Sequence, residues 1–440
     1  MKNLLQTFNT PESLLVITSY PNPINGKYGA RDFNAIGEHS ERRLPYLAKD
    51  RKVLVVAEQM GKNTTFKATP NLMIARVWKK RNILSFFKLF YFILKQNKIR
   101  SILVQFEFNV FGGTIPNMII MALLFLLRFT SKETTFELHQ VITDVGTLKK
   151  HINITNPIKR AFLNTGLKLF YKTVGFVAKN IVVFEQEIKE RLSAYVTASK
   201  ITVLCLSIDR QKAIDQKVAR KTLDIKQNEF VILVFGFING YKGIDWILNA
   251  LKNVNKQAKG RPVRLLITGG KNPYLKDYTY YQRFYNAIVA ETKKYTHVTY
   301  SNFVSDEKVG LYFSASDIVA LPYEVFMSAS GPFSRALAYE KPILLSEKLL
   351  NYSKSLDFAQ SLADAQLKKS DIFFPLTEKG ILSLINKAKK DKKYIQQLAT
   401  FSRLLGTARS IETVSVKLDH ILFSDVKKVV SYTQPALAVA

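Results

Sequence analysis

The segment FVILVFGFINGYKGIDWILNAL holds a single lysine, Lys242, in a glycine-bounded loop, Gly236 to Gly243. An unbroken apolar run ends before it at Phe235, and an apolar-periodic helix starts after it near Ile244. An ammonium at the carboxyl end of a buried strand is a compact positive charge suited to a diphosphate lying between two sheets. A solvated loop lysine is the plainer alternative. An earlier loop, TSYPNPINGKYGARDF, places Gly26 and Gly29 after the first apolar run, where bare N–H groups can approach an anion. A simple turn fits it equally. His139 closes TTFELH, an imidazole at a strand end that either faces a crevice or makes a structural hydrogen bond. Glu107 in QFEFNVFGG and Glu324 after LPY follow strands in the same way. The first either takes a ligand hydroxyl or caps the next helix. The second either contacts a ligand or stays a solvated acid.

Other chemistries lack their residues. There is no Asp-x-Asp pair and no His/Asp cluster at transition-metal spacing, so neither a metal nor another cofactor is implied. No G-x-S-x-G elbow is present, which disfavours a serine hydrolase. The one cysteine, Cys205, lies in the apolar ITVLCL and reads as a small buried hydrophobe. A lone cysteine also rules out an intrachain disulfide and makes a reducing cytoplasm the natural setting.

These side chains need a scaffold, and the apolar runs supply one. Leu14–Thr18, Val53–Ala57, Ile102–Phe106, Thr134–Leu138 and Ile181–Phe184 alternate with helical-period segments. Strands apolar throughout and separated by helices predict a parallel sheet covered on both faces. The pattern restarts at Val231–Phe235, Arg264–Thr268, Val298–Tyr300, Ile318–Leu321 and Ile343–Leu345. The expectation is two Rossmann-like α/β domains, residues 1–207 and 208–410, joined by the charge-dense 209–228. A last helix from 411 packs back on the first domain, followed by a tail to 440. A chain of 440 residues is long enough for two cores. At 47% hydrophobic and 12% aromatic, it is neither disordered nor fibrous.

Lys and Arg number 65 against 34 Asp and Glu, a net +31 that favours anionic partners. Residues 51–100 hold 12 basic and 1 acidic residue. There, VWKKRNILSFFKLFYFILKQNKIR interleaves Trp78, Phe86, Phe87, Phe90 and Phe92 with cations, and residues 158–180 form a second basic amphipathic stretch. Each is either an ordinary packed helix with a solvated basic face or a membrane-surface face. The N-terminus lacks the pattern of a cleaved signal peptide. The apolar run Met118–Leu127 is too short to span a bilayer and reads as a buried helix.

VLVFGFINGYKGIDWILNAL resembles the phosphate-binding strand–loop–helix of retaining glycosyltransferases of family four, which have the GT-B architecture. LLITGGKNP, HVTYSNFVSDEKVGLYFSASDIVALPY and SASGPFSRALAYEKPILLS follow the order of that family's donor domain. VQFEFNVFGG and TTFELHQVITD are similar to acceptor-domain segments of one bacterial branch. The resemblance implies that Lys242 neutralises the donor diphosphate and that Gly29, Gly236 and Asn239 border the donor. It implies that backbone at Asn302 to Val304 holds the nucleobase and that amides at Ser330 and Gly331 face the sugar or its phosphate. His139 and Glu324 would orient the sugar, and Glu107 an acceptor hydroxyl.

The chain departs from the family at two places. Phe237 stands where an arginine is usual. Arg335 or Ala336 and Met327 or Ser328 occupy the places of two glutamates eight apart. The function implied is metal-independent, retaining sugar transfer from a nucleotide-sugar to a hydroxyl of a glycan or lipid-linked acceptor, in cell-surface glycan assembly. The expected setting is the cytoplasm or the inner face of an anionic membrane, with no nucleic-acid partner. A catalytically silent GT-B protein that binds glycan or membrane is the alternative.

Overall fold

The computed structural model describes residues 2–21, 35–60, 65–148, 156–255, 260–273, 275–327 and 329–423. The first sheet contains β1 (Leu14–Ile17), β2 (Val53–Glu58), β3 (Phe66–Thr69), β4 (Leu72–Trp78), β5 (Ser101–Phe106), β6 (Glu133–Leu138), β7 (Asn180–Val183) and β8 (Ile201–Val203). Their order is β3-β4-β2-β1-β5-β6-β7-β8, and only the β3–β4 pair is antiparallel. The second sheet contains β9 (Phe230–Phe235), β10 (Val263–Thr268), β11 (Val298–Tyr300), β12 (Ile318–Leu321), β13 (Ile343–Ser346) and β14 (Phe373–Phe374). It is parallel throughout, in the order β11-β10-β9-β12-β13-β14.

The alternation of side chains within β1 shows why it is apolar along its whole length. Leu15 and Ile17 join a core with Phe86, Leu89, Ile120, Leu124 and Val174 of the helices on one face. Leu14 and Val16 join a second core with Leu44 and Leu47 on the other. Two covered faces leave no solvent side for polar residues. That second core is completed by Val414, Leu418 and Leu422 of the helix Ile411–Phe423, which lies on the first domain after a helix of the second, Lys392–Ala408. The two crossings between the domains run side by side, through a bridge between Ile208 and Ser410.

Several sequence expectations need correction. Trp78 ends β4 rather than opening the basic helix, which is Ile83–Lys95. β3, β4, β8 and β14 lie outside the expected strands. Residues 209–228 are more than a connector, because the helix Gln216–Thr222 buries Arg220 against the Ala315 carbonyl and Asp317. The helix Thr114–Leu126 is only half-buried: Ile115 and Met118 are exposed on its outer side.

Candidate active site

Each sheet reverses its strand order once, and an open α/β sheet binds ligands at the carboxyl ends of the strands flanking that reversal. In the second sheet the reversal separates β9 from β12, and in the first it separates β1 from β5. The two carboxyl ends enclose a cleft of about 1280 Å³. It is lined from the first domain by Glu38, His39, Arg42, Glu107 and His139. From the second, Gly236, Phe237, Lys242, Glu324 and Gly331 reach it.

Lys242 ends a short 3-10 turn, Gly240–Lys242, after β9, and it is 6% exposed. Its ammonium lies above Gly236, where an added Cβ would come within 2.6 Å of Nζ, and 6.0 Å from the Tyr323 ring. Gly236 holds φ at 108°, a conformation strained for any side chain. Among the described residues no acidic side chain pairs with Lys242, and burial lowers its pKa to about 8. An unpaired buried cation carries a desolvation cost that a bound anion removes. Gly243 closes the loop at φ 65°, and a Cβ there would sit 2.0 Å from the Pro322 carbonyl oxygen. The lysine loop is thereby laid against the end of β12. Glu324 follows in that same end, and its amide donates to the Tyr241 carbonyl at 2.8 Å.

Gly331 opens the helix Gly331–Ala338 toward the cleft with open space where a Cβ would be. Ser330 does not line the cleft. It is the helix cap, accepting from the Phe333 amide at 3.3 Å and sharing a hydrogen bond with the Tyr323 hydroxyl at 2.9 Å. Asn239 does line the cleft, with its side-chain oxygen accepting from Asn272 at 3.0 Å. Asn302, in a left-handed conformation at φ 48°, sits behind the cleft wall, its side-chain oxygen 3.4 Å from the hydroxyls of Tyr285 and Tyr300. The wall itself is Phe303 and Val304. Gly29 lies outside the described residues.

Phe237 and Phe303 face each other across the second sheet's edge of the cleft, ring centroids 6.4 Å apart and planes at 14°. They converge because two glycines follow β10: a Cβ on Gly269 would sit 2.1 Å from the Gly236 carbonyl oxygen, and one on Gly270 would sit 2.9 Å from the Phe303 Cβ. Phe303 remains 39% exposed, so its ring is open to a flat ligand in the cleft.

On the first-domain wall, His139 follows β6 and its amide donates to the Phe106 carbonyl at 3.0 Å. Its Nε2 lies 3.0 Å from the buried Glu137 carboxylate, and His39 Nε2 lies 3.4 Å from the same oxygen. Arg43 pairs with the second Glu137 oxygen, and Gln105 donates to the first at 3.0 Å. Burial raises the Glu137 pKa, but Arg43 and the two histidines outweigh that and hold it well below the usual carboxylate range. Burial, aided by Arg43, lowers His39 to about 3, so that ring is neutral.

His39, Glu137 and His139 offer ligand atoms within 4.8 Å of one another, a grouping the sequence does not show. The guanidinium already neutralising the carboxylate suits a hydrogen-bonded network that fixes His139 better than it suits a metal ion. Glu107 sits at the end of β5 in the same wall, and burial raises its pKa.

The walls meet at Arg335, whose guanidinium donates to Glu38 of the first domain at 2.5 Å and to Asp306 at 2.9 Å. Arg42 holds the same Glu38 oxygen at 2.5 Å. The sequence marks Arg335 only as one of two residues, with Ala336, that fall where a glutamate is usual in the family it resembles. Its partner 297 residues away has no local signature.

Residues 215–349 match the family described as glycosyl transferases group 1. No curated protein sequence matches the chain. Among solved structures, sucrose-phosphate synthase from Thermosynechococcus elongatus is 14% identical with a TM-score of 0.66. That match covers 93% of this chain and 98% of that one. HepE from Anabaena, in complex with UDP, is 15% identical with a TM-score of 0.61, over 93% of this chain and 99% of its own. WaaG, a glycosyltransferase involved in lipopolysaccharide biosynthesis, is 12% identical with a TM-score of 0.61, over 94% and 100%. Two facing sheets joined by a double crossing give the chain the GT-B fold of these structures, and its residues 215–349, which match the group 1 model, form the lysine wall of the cleft.

Proposed function

We propose that the protein transfers a sugar from a nucleotide-sugar donor to a hydroxyl acceptor with retention at the anomeric carbon and without a metal ion. The observation that carries this reading is Lys242, a buried ammonium with no acidic partner among the described residues, at the strand-order reversal of the second sheet. Its charge and the Gly331 amide at the start of its helix meet the donor diphosphate. The nucleobase lies against Phe237, Phe303 and the backbone of Val304. HepE, with the same fold, is described in complex with UDP, which supports a uridine donor.

The sugar then projects toward the first domain, where His139 and Glu324 orient its hydroxyls and Glu107 receives the acceptor. The acceptor oxygen forms a bond to the anomeric carbon as the bond from that carbon to the diphosphate oxygen breaks. The acceptor proton passes to the departing phosphate oxygen on the same face. Fixed charges and exclusion of water, rather than a protein nucleophile, lower the barrier in this scheme. The likeness to WaaG supports a role in cell-surface glycan assembly.

A transfer and donor-hydrolysis assay across UDP, GDP and ADP sugars, run with the wild type and with His139→Ala, tests this. Turnover with one donor, reduced at least about 100-fold in the variant, is expected. Binding of a nucleoside diphosphate with no turnover of any sugar would instead favour a silent GT-B protein. The two places where the resembled family carries acids, held here by Arg335 or Ala336 and by Met327 or Ser328, and Phe237 in the place of an arginine give that second reading its footing.

A further inference from the structure

Three helices cover one face of the first sheet. The helix Thr114–Leu126 lies between Ile83–Lys95 on one side and Pro157–Val177 on the other. Each buries one stripe on the sheet, as Phe86, Leu89 and Ile93 do for the first. A surface helix ordinarily turns polar residues outward. These do not.

On the helix Ile83–Lys95, Leu84, Phe87 and Tyr91 form an exposed stripe, with Leu84 74% and Tyr91 60% exposed. On Thr114–Leu126 the outward positions are Ile115, Met118 and Leu126, and Phe129 follows at 71%. On Pro157–Val177 they are Ile158, Phe162, Leu169 and Phe176. Phe125 stacks on Phe176 with centroids 5.3 Å apart, joining the second helix to the third. The outward stripes of one helical layer share one surface, and an apolar surface this large marks a binding face.

Its charge says what binds. The three helices contain no Asp or Glu, but they carry Lys88, Lys95, Lys159, Arg160, Lys168 and Lys172. A second copy of the chain docked face to face would set these cations against their own kind. A polyanion without an apolar layer would leave the leucines and phenylalanines uncovered. An anionic bilayer satisfies both, with headgroups meeting the cations and acyl chains meeting the rings. We infer that this three-helix face seats the protein on an anionic membrane surface. Among the described residues no helix is long and apolar enough to cross a membrane, so the chain lies on the bilayer through this face.

The geometry also relates this face to the cleft. Each of the three helices follows the carboxyl end of a parallel strand, so its first turn, bearing Leu84, Ile115 or Ile158, lies at the cleft end of the sheet. Glu107 and His139 occupy the same end, after β5 and β6. A lipid-anchored hydroxyl is thereby within the reach of the acceptor wall. That link rests on the transferase reading, whereas the docking itself does not.

Co-sedimentation of the full-length protein with phosphatidylcholine vesicles, with and without phosphatidylglycerol, tests the docking. Binding to the anionic vesicles and little to the neutral ones is expected. The charge variant K159E/R160E/K168E/K172E should lose at least about 100-fold in partitioning, at about fivefold per cation removed. The apolar variant F87S/F162S/L169S should lose about 10-fold or more with its charges intact. Equal binding to both vesicle types, or wild-type partitioning by either variant, overturns the proposal. So does a dimer in sedimentation velocity that the apolar variant abolishes, or displacement of the protein from vesicles by duplex DNA. A UDP-induced thermal shift measured on every variant reports folding. Loss of vesicle binding with that shift intact leaves the transferase reading standing, while vesicle binding by a wild type that takes no nucleotide removes that reading and keeps the docking.

Discussion

At the level of single residues, the titration of Lys242 decides how ligand binding depends on pH. Burial holds its folded pKa at about 8, below the ordinary value of 10.5. The unfolded chain therefore binds that proton more tightly between the two values, and this group adds stability as pH rises through that window. A bound diphosphate favours the charged form and reverses the preference. Affinity for UDP, followed by calorimetry, is expected to fall about tenfold per pH unit above about 8 and to lose this dependence in Lys242→Gln. A flat profile in the wild type would show that the ammonium does not meet the ligand. On the opposite wall, Glu137→Gln leaves Arg43 buried without its counter-charge. Stability measured by urea unfolding should drop by about 3 kcal/mol or more.

At the scale of elements, the lysine loop depends on glycines, Gly236 for its φ of 108° and Gly243 because a Cβ has no room beside the Pro322 carbonyl. Gly243→Ala meets both a φ of 65° and an oxygen 2.0 Å away, so the loop must leave the end of β12. The melting temperature is expected to fall by several degrees and UDP-induced stabilisation to disappear. An unchanged shift would mean that the loop geometry is not needed. The clip of Phe237 and Phe303 makes a separable claim. Changing both to Ala should weaken UDP binding by about 10-fold or more, the scale of one base–aromatic stack, while leaving pyrophosphate binding intact.

Much of this level was legible in the sequence. Apolar runs bounded by glycines announced β9 and its lysine loop, and strand ends located His139, Glu107 and Glu324. β4 was not legible, because LMIARVW runs directly into the basic helix and carries Arg76, whose guanidinium is buried on the carbonyls of Tyr20, Glu58 and Pro21. β8 and β14 are three and two residues long, too short for any periodicity. The outward stripe of Thr114–Leu126 was hidden as well, since a helix apolar all round gives no cue to which side faces solvent.

At the scale of the whole molecule, contacts between the domains set the width of the cleft. Arg335 and Glu38 tie them at the mouth, and Arg409 pairs with Glu185 and Asp357 beside the double crossing. Burial raises Glu185 to about 7 even against the nearby guanidinium. Removing one partner at the mouth should loosen closure without touching the lysine loop. Glu38→Gln is expected to increase the radius of gyration in solution scattering and to lower kcat/KM about 10-fold, with UDP affinity unchanged. Neither Arg335–Glu38 nor Glu137 with its two histidines could be read from the sequence. The first partners lie 297 residues apart, and His39 is brought to Glu137 only by the packing of the helix Ala35–Leu47 on the first sheet.

The most direct measurement is a calorimetric titration of UDP at pH 7 into the wild type and into Lys242→Gln, both shown to be folded. Saturable wild-type binding, weakened about 10- to 100-fold in the variant, is expected from the loss of one charged contact to a diphosphate. Equal affinity in the two proteins, or no binding of any nucleoside diphosphate by the wild type, would contradict the account.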